Sequence, residues 1–167
     1  REALVVAGGE ERVDSTRLAV AAVVAAGGAP RDKVLVHDAA RPLVPTRVID
    51  DVVAALDHHD AVATLVETAD TIVQVDPATG DVASVLPRAS LRRHQTPQGF
   101  RLALLAEVHE AARRVGDEGL ATDDCSLVLR HRPDVAVGSV AGDVENLKIT
   151  DPADLVLARA LLAARES

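Results

Sequence analysis

The chain has 167 residues, 48% of them apolar, with one aromatic residue (Phe100) and a formal net charge of −8 at pH 7, so it can bury one core built from Val, Leu, Ala and Ile. The acidic balance excludes a general nucleic-acid or membrane surface, because no basic field gathers phosphate groups, yet it leaves room for a local cationic pocket. No apolar run reaches the roughly 20 residues of a membrane span, and the single cysteine, Cys125, allows no internal disulfide or cysteine-rich zinc site; a cytoplasmic protein is expected.

Residues 2–6 read as a short buried strand closed by Gly8-Gly9, where the backbone can turn or approach a ligand. The chain has no methionine and opens at Arg1 almost directly on this apolar run, which predicts that an N-terminal segment precedes it. Asp14 or Ser15 is placed to cap a helix to about Ala26, ended by Gly27-Gly28 and Pro30. An apolar, β-branched strand follows over 33–37, of the kind that fills the interior of a parallel sheet. Thr46 opens a helix to about Leu56 with Val48, Ile49, Val52 and Val53 at helical spacing, and 61–65 is another strand. Strands alternating with helices imply right-handed crossovers and an α/β fold with a doubly wound, mostly parallel sheet.

The pattern then changes. Residues 70–75 alternate at period two, 76–81 form a turn, and 82–86 are a second short strand, which together predict a β-hairpin arm over about 70–88 with no helix to cover it. Arg88, Arg92, Arg93 and His94 form the most cationic stretch. Residues 95–100 read as a compact turn into an amphipathic helix over 102–115. Thr122 is placed to cap a short helix, 135–140 is a strand, and 146–150 is a short strand with a polar residue at each end. Asp151-Pro152 then opens the last helix with a cap and a first-turn proline. One domain spans 1–167.

The stretch with most chemical content is Val34-Leu35-Val36-His37-Asp38-Ala39-Ala40-Arg41-Pro42. In open α/β sheets ligands collect at the carboxyl ends of strands, so His37, Asp38 and Arg41 stand where such a fold does chemistry. The residues alone are equally compatible with a turn cap at Asp38 paired to Arg41 on the surface. His58-His59 reads as plain surface, Thr122-Asp123-Asp124 as a helix cap rather than a metal site, and Cys125 as a small buried hydrophobe.

The order of motifs carries more than any one of them. Gly8-Gly9-Glu10-Glu11-Arg12-Val13-Asp14-Ser15, His37-Asp38-Ala39-Ala40-Arg41-Pro42, Asp70-Thr71, Arg88, Thr96-Pro97-Gln98-Gly99-Phe100, Thr122-Asp123-Asp124 and Lys148-Ile149-Thr150 follow one another along the whole chain. The series resembles the cytidylyltransferases acting on 2-C-methyl-D-erythritol 4-phosphate in non-mevalonate isoprenoid biosynthesis. In that family a glycine-rich phosphate loop and the strand before it precede everything present here. The resemblance implies a Rossmann-like nucleotidyltransferase fold and a Mg²⁺-dependent reaction of CTP with a sugar-alcohol phosphate. It also implies a homodimer joined through the hairpin arm.

The same resemblance assigns roles. Gly9, Glu10 and Ser15 would read the cytosine. Asp38, Ala39 and Arg41 would lie at the ribose and phosphates, with Asp38 the one candidate metal contact. Lys148, one of two lysines, would neutralise phosphate charge. Thr71, Arg88 and Thr96 would hold the acceptor, the first two in the partner's site. Catalysis falls to Asp38, Arg41 and Lys148 by positioning and charge neutralisation. Two other readings stand beside it: a ribitol-5-phosphate cytidylyltransferase of the same superfamily, against which Ala40 and Gly99-Phe100 weigh, and a non-catalytic dimerisation or nucleotide-sensing relic.

Overall fold

The computed structural model describes residues 3–116 and 121–165. Helix α1 spans Arg12–Ala25, strand β1 Lys33–Val36, α2 Thr46–Ala55 and β2 Ala61–Glu67. The arm is β3 (Val73–Val75) and β4 (Val82–Val85), followed by a 3₁₀ turn at Arg88–Ser90. Strand β5 (Arg92–Arg101) runs directly into α3 (Leu102–Val115); α4 (Asp124–His131), β6 (Val137–Ala141) and α5 (Pro152–Arg165) complete the chain.

The main sheet has the order β1-β5-β2-β6. Strands β1, β2 and β6 share a direction, and β5 lies between β1 and β2 antiparallel to both. Side chains alternate across this sheet as period-two geometry requires. Ala61, Ala63 and Phe100 face one side, against α1, α3 and α4. Val62 faces the other, against Val52 and Leu56 at the end of α2. Helix α3 earns its place by spacing: Leu102, Leu105, Val108, His109 and Ala112 are all buried on one stripe, and it ends at Gly116, whose φ of 70° needs no Cβ accommodation.

Several sequence expectations are corrected here. Residues 3–9 form no strand and are exposed, Val5 by 92%; a strand is held by ladder bonds and burial, and this segment has neither (Glu2, its expected start, lies outside the described residues). Strand β1 has a partner on one side only among the described residues, and that partner is antiparallel. Residues 95–100 are no turn but the buried half of β5. Pro97, which cannot donate to a ladder, is tolerated because the register breaks opposite it, between Val62 and Thr64. Thr64 Oγ donates to the Pro97 carbonyl at 2.6 Å in compensation.

Residues 146–150 join no sheet; they bond instead to β5 side chains and carbonyls through Asn146, to the loop after β1 through Ile149, and to Asp154 of α5 through Thr150. Helix α1 begins at Arg12, ahead of both candidate caps. Ser15 sits in its first turn, and its hydroxyl accepts the Gly9 N–H at 3.1 Å, folding the glycine pair onto the helix. The cap of α4 is Asp123 rather than Thr122, because its carboxylate reaches the Ser126 N–H at 2.8 Å.

Gly99 tests the packing of α2 on β5. A Cβ there would lie 2.5 Å from Val52 Cγ1 and 3.0 Å from Leu56 Cδ1, so Gly99→Ala is expected to destabilise the fold by roughly 1–3 kcal/mol. Chemical denaturation measures it, and an unchanged midpoint would mean that α2 does not press on β5.

Candidate active site

Beyond the end of β1 the chain is held by a run of hydrogen bonds. The Asp38 N–H donates to Thr96 Oγ (3.0 Å), the Thr96 hydroxyl donates to His37 Nδ1 (3.1 Å), and His37 Nε2–H donates to the Arg41 carbonyl (3.0 Å). The Arg41 N–H closes a turn onto the Asp38 carbonyl at 2.9 Å. This run places the Asp38 carboxylate at a fixed point between strands, and it occupies the Thr96 hydroxyl, whose residue is only 4% exposed.

A second loop, residues 143–149, is pinned alongside. Asn146 is fully buried; its amide donates to the Thr96 carbonyl at 2.8 Å and to Gln95 Oε1 at 3.2 Å. Gln95 in turn donates to the Asp143 carbonyl at 2.8 Å. The Asn146 carbonyl accepts from Arg41 Nη1 at 2.8 Å, and the Ile149 N–H reaches the Ala40 carbonyl at 2.8 Å. A loop fastened on both sides of Lys148 delivers that side chain to Asp38.

Three cations meet the one carboxylate. Lys148 Nζ lies 3.3 Å and Arg41 Nε 3.6 Å from Asp38 Oδ2, and Arg12 Nε lies 3.7 Å from Oδ1. Burial holds the Arg41 pKa below its ordinary value, while Asp38 pulls it back up. Together with His94, Thr122 and Asp123 they line a cavity of about 240 Å³. A ring of fixed donors around a small polar cavity is suited to oxyanions, since each cation can exchange a carboxylate oxygen for a phosphate oxygen.

Two carboxylates face that cavity, and Asp123 is committed elsewhere. His94 Nδ1–H donates to it, and it caps α4. Burial opposes its ionisation, but the His94 and Ser126 hydrogen bonds outweigh that and hold its pKa at about 2 against an ordinary 3.8. Burial also pushes the Cys125 thiol far up, which makes it inert as a nucleophile.

The remaining candidates divide into two places. Ser15 and Ala39 line an apolar groove of about 480 Å³ between α1 and β1, which shares Arg12 and Asp38 with the polar cavity. Gly9 and Glu10 are exposed just ahead of α1. Thr71 and Arg88 stand apart: Thr71 is exposed on the arm, and Arg88 donates to the Ala69 carbonyl at 2.9 Å beside a separate cavity. Reasoning from sequence did not single out Arg12, His94 paired with Asp123, or Asn146. Arg12 stands inside the Gly8–Ser15 motif, two residues past Glu10, and that position was its only signal.

An α/β sheet with a cationic pocket at its strand ends, bordered by an apolar groove, is the layout of a nucleotide-binding protein of the Rossmann-like kind. The family model of the 2-C-methyl-D-erythritol 4-phosphate cytidylyltransferases (IspD) matches residues 1–164, and the chain belongs to that family. It is 48% identical over 160 residues to the enzyme of that name from Frankia casuarinae, covering 95% of this chain and 56% of the relative. With the Thermobifida fusca enzyme it shares 44% over 162 residues, 95% of this chain and 64% of that one. A bifunctional ribulose 5-phosphate reductase/CDP-ribitol pyrophosphorylase from Haemophilus influenzae is 38% identical over 162 residues, covering 96% of this chain but 33% of its own length. Among solved structures, the cytidylyltransferase from Thermus thermophilus superposes with a TM-score of 0.79 at 37% identity, over 95% of this chain and 72% of that one. The chain thus spans between a third and about two thirds of these curated relatives' lengths.

Asp123 gives a signed pH prediction. Its folded pKa is depressed, so its contribution is present in full above the unfolded value of 3.8 and is lost as pH falls toward about 2. Asp123→Asn keeps a capping side chain but no charge. It is expected to lower stability by up to about 2 kcal/mol near neutral pH, with the deficit shrinking toward zero across that acid window. Urea titrations of both proteins at several pH values measure it; a deficit that does not change with pH would contradict the assignment.

Proposed function

We propose that the protein is a cytidylyltransferase that joins CTP to 2-C-methyl-D-erythritol 4-phosphate, giving CDP-methylerythritol and pyrophosphate in non-mevalonate isoprenoid biosynthesis. The observation that carries the reading is the convergence of Arg12, Arg41 and Lys148 on Asp38 in a chain that the family model matches over residues 1–164. In this reading one nucleotidyltransferase domain spans residues 1–167, and the protein works in the cytoplasm; among the described residues no helix is long and apolar enough to cross a membrane.

An oxygen of the acceptor's phosphate attacks the α-phosphorus of CTP; the new P–O bond forms as the bond to the β-phosphate breaks and pyrophosphate departs. Both reactants are anions, so the protein's work is to align them and to neutralise charge. Arg41 and Lys148 exchange Asp38 for phosphate oxygens, which brings their charge to the reacting phosphorus. Asp38, released from those contacts, orients the acceptor or ribose hydroxyls. The apolar groove beside Ser15 and Ala39 takes the nucleoside, with Gly9, Glu10 and Ser15 supplying polar atoms for the cytosine edge. Thr96 acts by fixing Asp38 in place.

Mg²⁺ fits the mode in which most of the ion's contacts come from substrate phosphates and water. Among the described residues no three carboxylate, His or Cys side chains stand together as a protein cage, and Asp38 is the carboxylate that would reach the ion. When bound it would add positive charge on the triphosphate.

The arm bears exposed Val73, Val75, Val82 and Val85, and a lone two-stranded hairpin is marginal in water. In the proposed homodimer it packs on a second subunit and carries Thr71 and Arg88 to the partner's pocket. A second reading, with ribitol 5-phosphate as acceptor, is favoured by the similarity to the Haemophilus influenzae protein.

One experiment separates the two. The complete protein is offered CTP with either acceptor, and pyrophosphate release is followed. Release is expected with methylerythritol phosphate and at least about tenfold more slowly with ribitol 5-phosphate. Asp38→Asn, which keeps shape and removes charge, is expected to cut the rate by about tenfold or more without loss of fold. Preference for ribitol phosphate would transfer the assignment to the second reading, and full activity of Asp38→Asn would return Asp38 to a turn cap.

A further inference from the structure

Behind the pocket lies a charge that the proposed reaction does not use directly. Asp124 is completely buried, and so, to within 1%, is His109. A buried carboxylate is tolerated only when its oxygens are paired, and both of these are. His109 Nε2–H donates to Asp124 Oδ1 at 2.9 Å, and Arg12 Nη1 donates to Oδ2 at 3.0 Å. Three helices therefore meet at one carboxylate: α3 through His109, α4 through Asp124 and α1 through Arg12.

Arg12 is the only member of this trio that also reaches the pocket, its Nε lying 3.7 Å from Asp38 Oδ1. One planar guanidinium thus stands between two carboxylates, one sealed in the core and one facing the cavity. We infer that Asp124 and His109 are positioning residues that hold Arg12 against Asp38, and that Arg12 is a phosphate-contacting cation of the pocket beside Arg41 and Lys148. The inference rests on the cytidylyltransferase reading and adds to it how one of the cations is kept in place.

The chemistry of the side chain supports this division of labour. A guanidinium offers five N–H donors in a rigid fork, and the contacts to Asp124 and Asp38 leave others for an incoming phosphate oxygen. A lysine ammonium is a point charge on a flexible stem and would not bridge two fixed carboxylates in the same way. Replacing a buried ion pair by apolar residues often costs a fold nothing, so stability gives little reason to carry Asp124 and His109 here. A fixed orientation for Arg12 gives one. When a phosphate draws Arg12 away from Asp38, the buried contact remains and the guanidinium pivots about it.

The test is a double-mutant cycle in the complete protein, using Arg12→Gln, Asp124→Asn and the pair, with kcat/KM for CTP and calorimetric CTP affinity as readouts. Arg12→Gln is expected to lower kcat/KM by about tenfold or more and Asp124→Asn by about fivefold. If Asp124 acts through Arg12, the double variant falls no further than Arg12→Gln alone, although thermal stability drops again. His109→Gln, which keeps an N–H donor, should retain more activity than His109→Ala.

Fully additive losses in kcat/KM, or wild-type CTP affinity in a folded Asp124→Asn protein, would overturn the inference. Should Asp124→Asn fail to fold, Arg12→Gln decides it, since unchanged CTP affinity there removes Arg12 from the phosphate site. Failure of the underlying reading looks different: the wild-type protein itself would release no pyrophosphate. In that case the Arg12 Nη1–H signal, measured by NMR without substrate, still reads the anchor, because Nη1 is the atom bonded to Asp124. It is expected to be protected in the wild type and lost in the His109→Ala variant, and equal protection in both would count against the positioning role.

Discussion

The pocket exists because one carboxylate accepts three cations. Arg12, Arg41 and Lys148 come from separate parts of the chain; Asp124 and the Asn146 carbonyl hold the first two from behind, and a shared counter-ion offsets the repulsion among the three. Asp38 gathers all three. In the proposed reaction a phosphate group entering the cavity would take over the same role with more oxygens and more charge, and the resting ion pairs would serve as its template. They are partly exposed, so each contributes little to stability; their value is geometric.

Keeping Asp38 still is then the main structural requirement, and much of the interior serves it. The backbone of Asp38 is tied to Thr96, Thr96 to Asn146 through its carbonyl, and Asn146 to Gln95 and Arg41. Gln95, Thr96, Gln98 and Asn146 are nearly solvent-free, and hydrogen bonds at that depth are costly to break. β5 makes this possible. Placed antiparallel between β1 and β2, it brings the 94–98 stretch directly beside the end of β1, so that a sheet connection and a binding site share the same residues.

Much of this was legible in the sequence. The strand ending at His37-Asp38, the amphipathic helix over 102–115, the uncovered hairpin and the proline-started last helix could each be read from periodicity and caps, and the motif order led to the family. What escaped has physical causes. Residues 95–100 carry Thr, Pro and two Gln, which suit a turn on propensity; they form a buried strand because Pro97 falls where the register breaks and the polar side chains find partners outside the stretch, at Asn146, His37 and His94. Residues 3–6 have strand composition, but composition supplies no neighbour to pair with, and in the fold they lie exposed. The contact of Arg12 with Asp124 escaped for a different reason. It crosses 112 residues between the first and the fourth helix, and no local pattern records a contact of that separation.

In the proposed reaction the cations held by Asp38 at rest are handed to phosphate on binding. A crystal structure of the complete protein with CDP-methylerythritol bound tests it most directly. Arg41 and Lys148 are expected to lie within hydrogen-bonding distance of the diphosphate oxygens, with their contacts to Asp38 lengthened and the Asp38 N–H still resting on Thr96. A diphosphate bound elsewhere, with both cations still on Asp38, would contradict it.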